Sequence, residues 1–217
     1  SDMNGTKALE IDRYAERQGL GCLRFDYSGH GESGGDFTEG TISRWVEEAL
    51  AVIQWTQPAD ILLVGSSMGC WIALRLVERL KASAIPIRGL VLIAPAPDFT
   101  SDLIEPGLTS AQKQMLQDKG YFERSFDDGQ TRESMTRKFL DDGRQNRVLT
   151  GVIDISCPVH ILQGMQDEAV PYHHALKLME HLPTNDVVMT LIRDGDHRLS
   201  RPEDMTRILD AISALAG

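Results

Sequence analysis

The chain has 217 residues, of which 41% are hydrophobic, so it is of one-domain size and carries enough apolar side chain for a sizeable core. Its formal charge is −10, which speaks against a surface for nucleic acid or anionic membrane, where phosphates would be repelled. Small neutral or acyl substrates remain as the ligand class.

Ala8, Ile11 and Ala15 recur at helical spacing and Gly19 stands where such a helix would stop, so residues 5–18 read as a helix. Residues 20–27 read as a strand, and a glycine-rich loop follows over 28–40. Ile42, Trp45, Val46, Ala49, Leu50 and Ile53 then make one apolar stripe, with Thr41 as the N-cap. A strand at 61–64, a helix from 67 to about 81 and a strand at 90–94 come next. Apolar strands alternating with helices of this length predict βαβ units and a buried parallel sheet.

From residue 97 to 156 the alternation breaks, with two legible helical segments at 110–119 and 132–140. A stretch of about 60 residues without a strand is too long for an ordinary connection. It reads as a helical cap inserted into a single domain whose core is 1–96 and 157–217. Phe99, Leu103, Leu108, Met115 and Phe122 either pack this cap or line an acyl pocket, and packing is preferred. The alternation resumes with a strand at 159–163, a helix at 172–182, a strand at 187–192 and a helix at 201–215. Tyr172, Ala175, Leu176 and Met179 form the apolar stripe of the first of these helices. Ser200 with Glu203 has capping-box spacing for the last one, and Ile208, Leu209, Ile212 and Leu215 form its stripe.

The chemistry centres on Gly65-Ser66-Ser67-Met68-Gly69, which fits G-x-S-x-G between an apolar strand and a helix. A nucleophilic serine at such a sharp turn needs small neighbours, and Gly65 and Gly69 are read as supplying them. The hydroxyl is a weak nucleophile without a base, and the base needs an orienting acid. Asp167 and His197 each follow a predicted strand, so all three groups lie at the carboxyl edge of the sheet. The chain order Ser67, Asp167, His197 is that of α/β hydrolases rather than of the chymotrypsin or subtilisin types. Glu168 is the alternative acid, while Asp194 and Asp196 crowd His197 from its own loop. The backbone N–H of Met68 is the expected oxyanion donor.

Other residues read as structural. Cys22, Cys70 and Cys157 are odd in number and widely spaced, which suggests neither a disulfide framework nor a zinc site. They favour a reducing compartment, the cytoplasm or, in a eukaryote, the mitochondrial matrix. Cys70 reads as core filler, and His173 and His181 fall on other faces of their helix with no ligand cluster beside them. No run of about 18 apolar residues would cross a membrane. Gly29-His30-Gly31-Glu32-Ser33-Gly34 matches a dinucleotide fingerprint, but 35–40 continue as loop, so no helix N-terminus would sit under a pyrophosphate. It reads as a tight loop in which glycines supply positive φ. No metal and no cofactor are expected.

Asp26-Tyr27-Ser28-Gly29-His30-Gly31-Glu32-Ser33 resembles the D-x-x-G-x-G-x-S loop of α/β-hydrolase-fold serine hydrolases, Gly65 to Gly69 their nucleophile elbow, Gly164 to Asp167 their acid loop, and Gly195 to His197 their histidine loop. More narrowly, 1–8 and 24–29 resemble the mitochondrial branch of palmitoyl-protein thioesterases and acyl-glucuronide esterases, together with its bacterial relatives. The resemblance implies cleavage of acyl esters or thioesters by Ser67, Asp167 and His197. It also implies some 30 to 50 further residues before Ser1, an estimate from the strands the family carries there, with the second oxyanion donor among them. The same three residues would serve a carbon–carbon bond hydrolase or an acyltransferase. A hydrolase-fold receptor that binds ligand without turnover is the alternative of another class.

Overall fold

The computed structural model describes residues 2–83, 85–125, 132–182 and 186–216. Helix α1 (Thr6–Gln18) ends on Gly19, whose φ of 68° is the left-handed conformation a glycine cap adopts without penalty. Helix α2 (Ile42–Thr56) starts where the Thr41 side chain accepts the Arg44 amide, and it buries Ile42, Trp45, Val46, Ala49, Leu50 and Ile53. The expected stripe is the observed one. Strand β1 (Ile61–Ser66), helix α3 (Met68–Leu80) and strand β2 (Ile87–Ile93) form the first βαβ unit of the alternation, with β1 and β2 paired in parallel.

Between β2 and the next strand of the sheet lie α4 (Ser110–Asp118), a hairpin of β3 (Tyr121–Ser125) and β4 (Arg132–Thr136), and α5 (Arg137–Gln145). Residues 126–131 of the expected insertion lie outside the described residues. Strand β5 (Val159–Gly164), helix α6 (Tyr172–Glu180), strand β6 (Val187–Ile192) and helix α7 (Pro202–Ala216) complete the chain.

The central sheet is parallel in the order β1-β2-β5-β6. Side chains alternate across it, as the two-residue period of a strand requires. Leu90, Leu92 and Ile161 pack with Cys70, Ala73, Leu74 and Val77 of α3 and Ala175 and Leu178 of α6. Val91, Ile93 and Leu162 face the other way, onto Ile208 and Ile212 of α7, with Ile11 and Tyr14 of α1 at the margin. Both faces are therefore covered, the condition under which a parallel sheet is found.

Four expectations need correction. Residues 20–27 carry no strand among the described residues; Leu20 and Leu23 are exposed, while Phe25 and Tyr27 pack onto the α2 cluster. The inserted segment is helical only in part, because 132–136 pair with β3 instead of starting a helix, and Met135 sits opposite Phe122. The stripe of α6 is His174, Ala175 and Leu178, with Met179 at the surface. The Ser200–Glu203 capping box does not form. Pro202 takes the first helical position, and Asp204 accepts the Arg201 amide instead.

Phe99, Leu108, Met115 and Phe122 pack in one cluster with α2, α3 and α5. Packing rather than pocket lining is their observed role.

Candidate active site

Strand β1 runs into α3 through Ser67, whose φ of 54° and ψ of −121° lie where side chains rarely go. Its own amide donates to the Ile93 carbonyl at 2.9 Å and its carbonyl accepts from Cys70 at 3.0 Å, so the turn is held from both sides. A Cβ on Gly65 would come within 2.7 Å of the Cys70 backbone, which explains why glycine stands there. Gly69 differs from expectation: a Cβ there meets nothing within 4 Å. Only one of the two glycines lets strand and helix approach.

The acid and histidine loops meet at the ends of β5 and β6. Met165 N–H donates to the Ile192 carbonyl at 2.8 Å and Gln166 N–H to the Gly195 carbonyl at 2.9 Å. A Cβ on Gly164 would fall 2.4 Å from the Gly195 oxygen and 2.6 Å from that of Asp196. The glycine of the acid motif thus exists to let the histidine loop close over it.

These loops bring the three expected side chains together. His197 Nδ1 lies 2.7 Å from Asp167 Oδ2 and Nε2 lies 3.0 Å from Ser67 Oγ. An ionised carboxylate only accepts, so Nδ1 carries the proton and Nε2 is left to accept from the Ser67 hydroxyl. The Asp167 side chain is fully buried whereas the imidazole is 31% exposed, which leaves one face open to a substrate. Asp167 Oδ1 accepts the amides of Ala169 at 3.0 Å and Val170 at 2.7 Å.

The rivals are occupied elsewhere. Glu168 is exposed. Asp194 pairs with Arg201 at 2.7 Å, and that guanidinium holds its carboxyl below the usual range. Asp196 accepts the Leu199 amide at 2.9 Å. Burial pushes the Cys70 thiol up, and its Sγ donates to the Ile93 carbonyl, so it is core filler as expected. The glycine-rich loop before α2 is a tight one: Gly29 and Gly31 have φ of 74° and 49°, and Asp26 accepts the amides of Met3 and Glu32.

Met68 opens α3, where the first amides of a helix have no intrahelical carbonyl. Beside it is a narrow niche of about 10 Å³ lined by Phe37, Trp45, Met68, Met135 and Phe139 together with Ser134 and Thr136. A larger recess, formed by Arg88, His160 and Val188 among others, opens at the amino ends of β5 and β6, the opposite end of the sheet from Ser67. Position, not size, makes the niche relevant.

A family model described as the alpha/beta hydrolase family matches residues 7–210. The chain belongs to the alpha/beta hydrolase family. Among its relatives in the family is the mitochondrial palmitoyl-protein thioesterase ABHD10 of Mus musculus, 30% identical over 223 residues that cover 99% of this chain and 71% of that protein. A putative hydrolase from Agrobacterium vitis superposes with a TM-score of 0.97 at 60% identity, covering 99% of this chain and 84% of that one. The mouse ABHD10 structure superposes with a TM-score of 0.88 at 28% identity, over 100% of this chain and 85% of that one. No described helix is long and apolar enough to cross a membrane.

Two residues near the site were not legible as such. Lys7 of α1 donates to the Arg198 carbonyl on the histidine loop and lies 3.4 Å from Ser200 Oγ; burial pulls its pKa down. Gln163 of β5 donates to Asp167 Oδ2 at 3.1 Å. The signal that could have found Gln163 is a polar residue directly after Ile161-Leu162 in a strand where burial is expected on both faces.

Proposed function

We propose that this alpha/beta hydrolase is a serine esterase or thioesterase that cleaves small to medium acyl substrates through an acyl-enzyme on Ser67. One observation carries the reading: a single imidazole, that of His197, bridges the Ser67 hydroxyl and the buried Asp167 carboxylate at 3.0 and 2.7 Å. The name of the mouse relative supports an acyl thioester among the substrates.

In this mechanism His197 Nε2 takes the Ser67 proton as Oγ bonds to the acyl carbon. The developing oxyanion is met by the Met68 N–H, a donor fixed before the substrate arrives, and such donors are typically worth about 10²–10³ in rate. Asp167 holds the imidazole in the reactive tautomer and stabilises it once it is charged. Collapse of the tetrahedral intermediate expels the thiolate or alkoxide, which leaves with the proton from His197. Water then attacks the acyl-Ser67 carbonyl, gives its proton to Nε2, and the acid departs as the proton returns to Oγ. The niche between Met68, Trp45 and Phe139 has room for about one water, and it marks the side from which the acyl chain approaches rather than a preformed acyl pocket. The chain is read as one domain, with 97–156 as an insertion that covers this niche.

Fluorophosphonate labelling tests the nucleophile. The wild-type protein is expected to label and Ser67→Ala to stay blank; equal labelling would remove Ser67 from the mechanism. A panel of esters and thioesters of increasing acyl length tests the chemistry. Saturable binding with negligible release of every acyl group would favour a receptor instead.

A further inference from the structure

Gln163 is completely buried, and a buried carboxamide is costly unless its groups are bonded. Its surroundings fix its orientation. Nε2 lies 3.0 Å from the Gly164 carbonyl oxygen, 3.1 Å from that of Val170 and 3.1 Å from Asp167 Oδ2, while Oε1 finds no donor among the described residues. Turning the amide over would set an oxygen against three acceptors. The donor side therefore faces the acid loop, at the cost of a stranded Oε1.

We propose that Gln163 is a positioning residue for the Ser67–His197–Asp167 relay, acting through Asp167; this rests on the reading of the relay given above. The Asp167 carboxylate receives four donors, two on each oxygen: Ala169 and Val170 amides on Oδ1, His197 Nδ1–H and Gln163 Nε2–H on Oδ2. Four is about the number of lone-pair sites an ionised carboxylate offers. Backbone amides hold one oxygen and Gln163 the other, so the carboxylate cannot turn away from the imidazole. The bond from Gln163 to the Val170 carbonyl also clasps the exit of the acid loop to the strand that enters it. A second N–H on Oδ2 shares the negative charge that faces the imidazole, and so sets how strongly Asp167 favours the charged ring. Besides Asp167, His197 is met by the Ser67 hydroxyl at the N-cap of α3, and Asp196 and Arg198 flank it on its own loop, with Lys7 of α1 bound to the Arg198 carbonyl.

The test is steady-state hydrolysis of a chromogenic acyl ester across pH by the full chain. Gln163→Met keeps the side-chain length and removes the donor. It is expected to lower kcat by roughly 10- to 100-fold, the size that hydrogen-bond partners of metal-binding histidines typically carry and taken here by analogy, with KM little changed. The acidic limb of kcat/KM is expected to move to higher pH, since the oxygen facing the imidazole then keeps all its charge. Gln163→Asn retracts the amide from Asp167, predicts the same two changes, and carries the test if Gln163→Met does not fold. A folded variant with wild-type kcat, or with a lower kcat but an unmoved acidic limb, would overturn the proposal. Ser67→Ala and Asp167→Asn are measured alongside. If those two lose turnover while the Gln163 variants keep it, only the assignment to Gln163 fails; if they keep turnover, the relay itself is wrong.

Discussion

The carboxyl edge of the sheet, where Ser67, Asp167 and His197 meet, and the segment inserted between β2 and β5 are held in place by different kinds of bond. At the edge, main chain binds main chain: Met165 to Ile192 and Gln166 to Gly195, with Gly164 pressed against the Gly195 and Asp196 carbonyls. The insertion is fastened by side chains. Asp98 draws the two ends of the insertion together by accepting the amides of Val148 and Leu149, while Trp71 Nε1 donates to the Asn146 carbonyl at 2.9 Å and Asn146 Nδ2 donates to Ser43 Oγ at 2.8 Å. A joint of the first kind survives most substitutions and fails at its glycines. A joint of the second kind fails with one residue and leaves the sheet edge alone.

The largest effect is expected where a glycine is the joint. Gly164→Ala puts a methyl 2.4 Å from the Gly195 carbonyl oxygen, so the histidine loop must back away from the acid loop. A displacement of about 1 Å in a reacting group costs about 10²-fold in rate, and kcat/KM is expected to fall by roughly that much. Gly69→Ala is the contrast. Nothing crowds that position, and alanine in a helix favours folding by roughly 0.5–1 kcal/mol over glycine. A rise in Tm for Gly69→Ala beside a hundredfold loss for Gly164→Ala would confirm that the two motif glycines do different jobs; a harmless Gly164→Ala would break the comparison.

Next in size is the side-chain joint at Asp98. This carboxylate is fully buried, and burial pushes its pKa up against the pull of the Leu149 and Val148 amides. Asp98→Asn leaves one oxygen for the two amides and sets an NH₂ against the other donors. The backbone there has φ of 53°, which asparagine tolerates as well as aspartate, so strain does not confuse the result. Leaving such a group unsatisfied costs about 1–3 kcal/mol, a fall in Tm of roughly 2–12 °C for a chain this size. Turnover of a short acyl ester below that Tm is expected to change far less than it does in Gly164→Ala. Hydrogen exchange at Val148 and Leu149 should quicken. Equal loss of activity in the two variants would mean that the insertion, too, sets the geometry at Ser67.

The same contrast governs what was legible before any coordinates. Main-chain joints leave glycines at fixed spacing, and those at Gly65 and Gly164 led to Ser67 and Asp167. Local capping was legible at Thr41 because a single side chain and its own helix decide it. The hairpin was not, since Arg132 to Thr136 is a strand only because a partner at Tyr121 to Ser125 accepts its ladder. Residues 20–27 show the converse, a strand-like sequence with no ladder partner among the described residues. The missed capping box at Ser200 is a competition lost to Pro202 and Asp204 one turn further on. Asp98 and His174 are buried polar residues whose partners lie far along the chain, and spacing within one element carries no trace of them.

A smaller effect, readable only against pH, is expected at the joint between β2 and α6. His174 is buried with Nε2–H donating to the Pro97 carbonyl at 2.6 Å, and burial pulls its pKa below the ordinary histidine value. Asp98, Asp102 and Lys177 are the charged groups around it. A folded pKa below the unfolded one means that the folded state binds fewer protons, so stability is full above about 6.5 and is lost as pH falls through the folded value. His174→Gln keeps an N–H for Pro97 and does not titrate. Its Tm is expected to fall less than the wild-type Tm between pH 7 and 5; parallel curves would show that His174 is not a source of the acid sensitivity.

The smallest effect belongs to a joint that is visible but weak. Lys138 of α5 reaches Glu39 in the turn before α2 at 2.6 Å, with side chains 53% and 60% exposed. The pair bridges the same two parts of the molecule as Asn146 does, yet in water and salt such a pair contributes below about 0.5 kcal/mol. Lys138→Ala is expected to move Tm by no more than about 1–2 °C, and raising the salt concentration should erase even that. The contrast with Asp98→Asn sets an exposed ion pair against a buried carboxylate that accepts two backbone amides. A Tm loss for Lys138→Ala as large as that for Asp98→Asn would place the fastening of the insertion in its surface charges rather than in its buried pins.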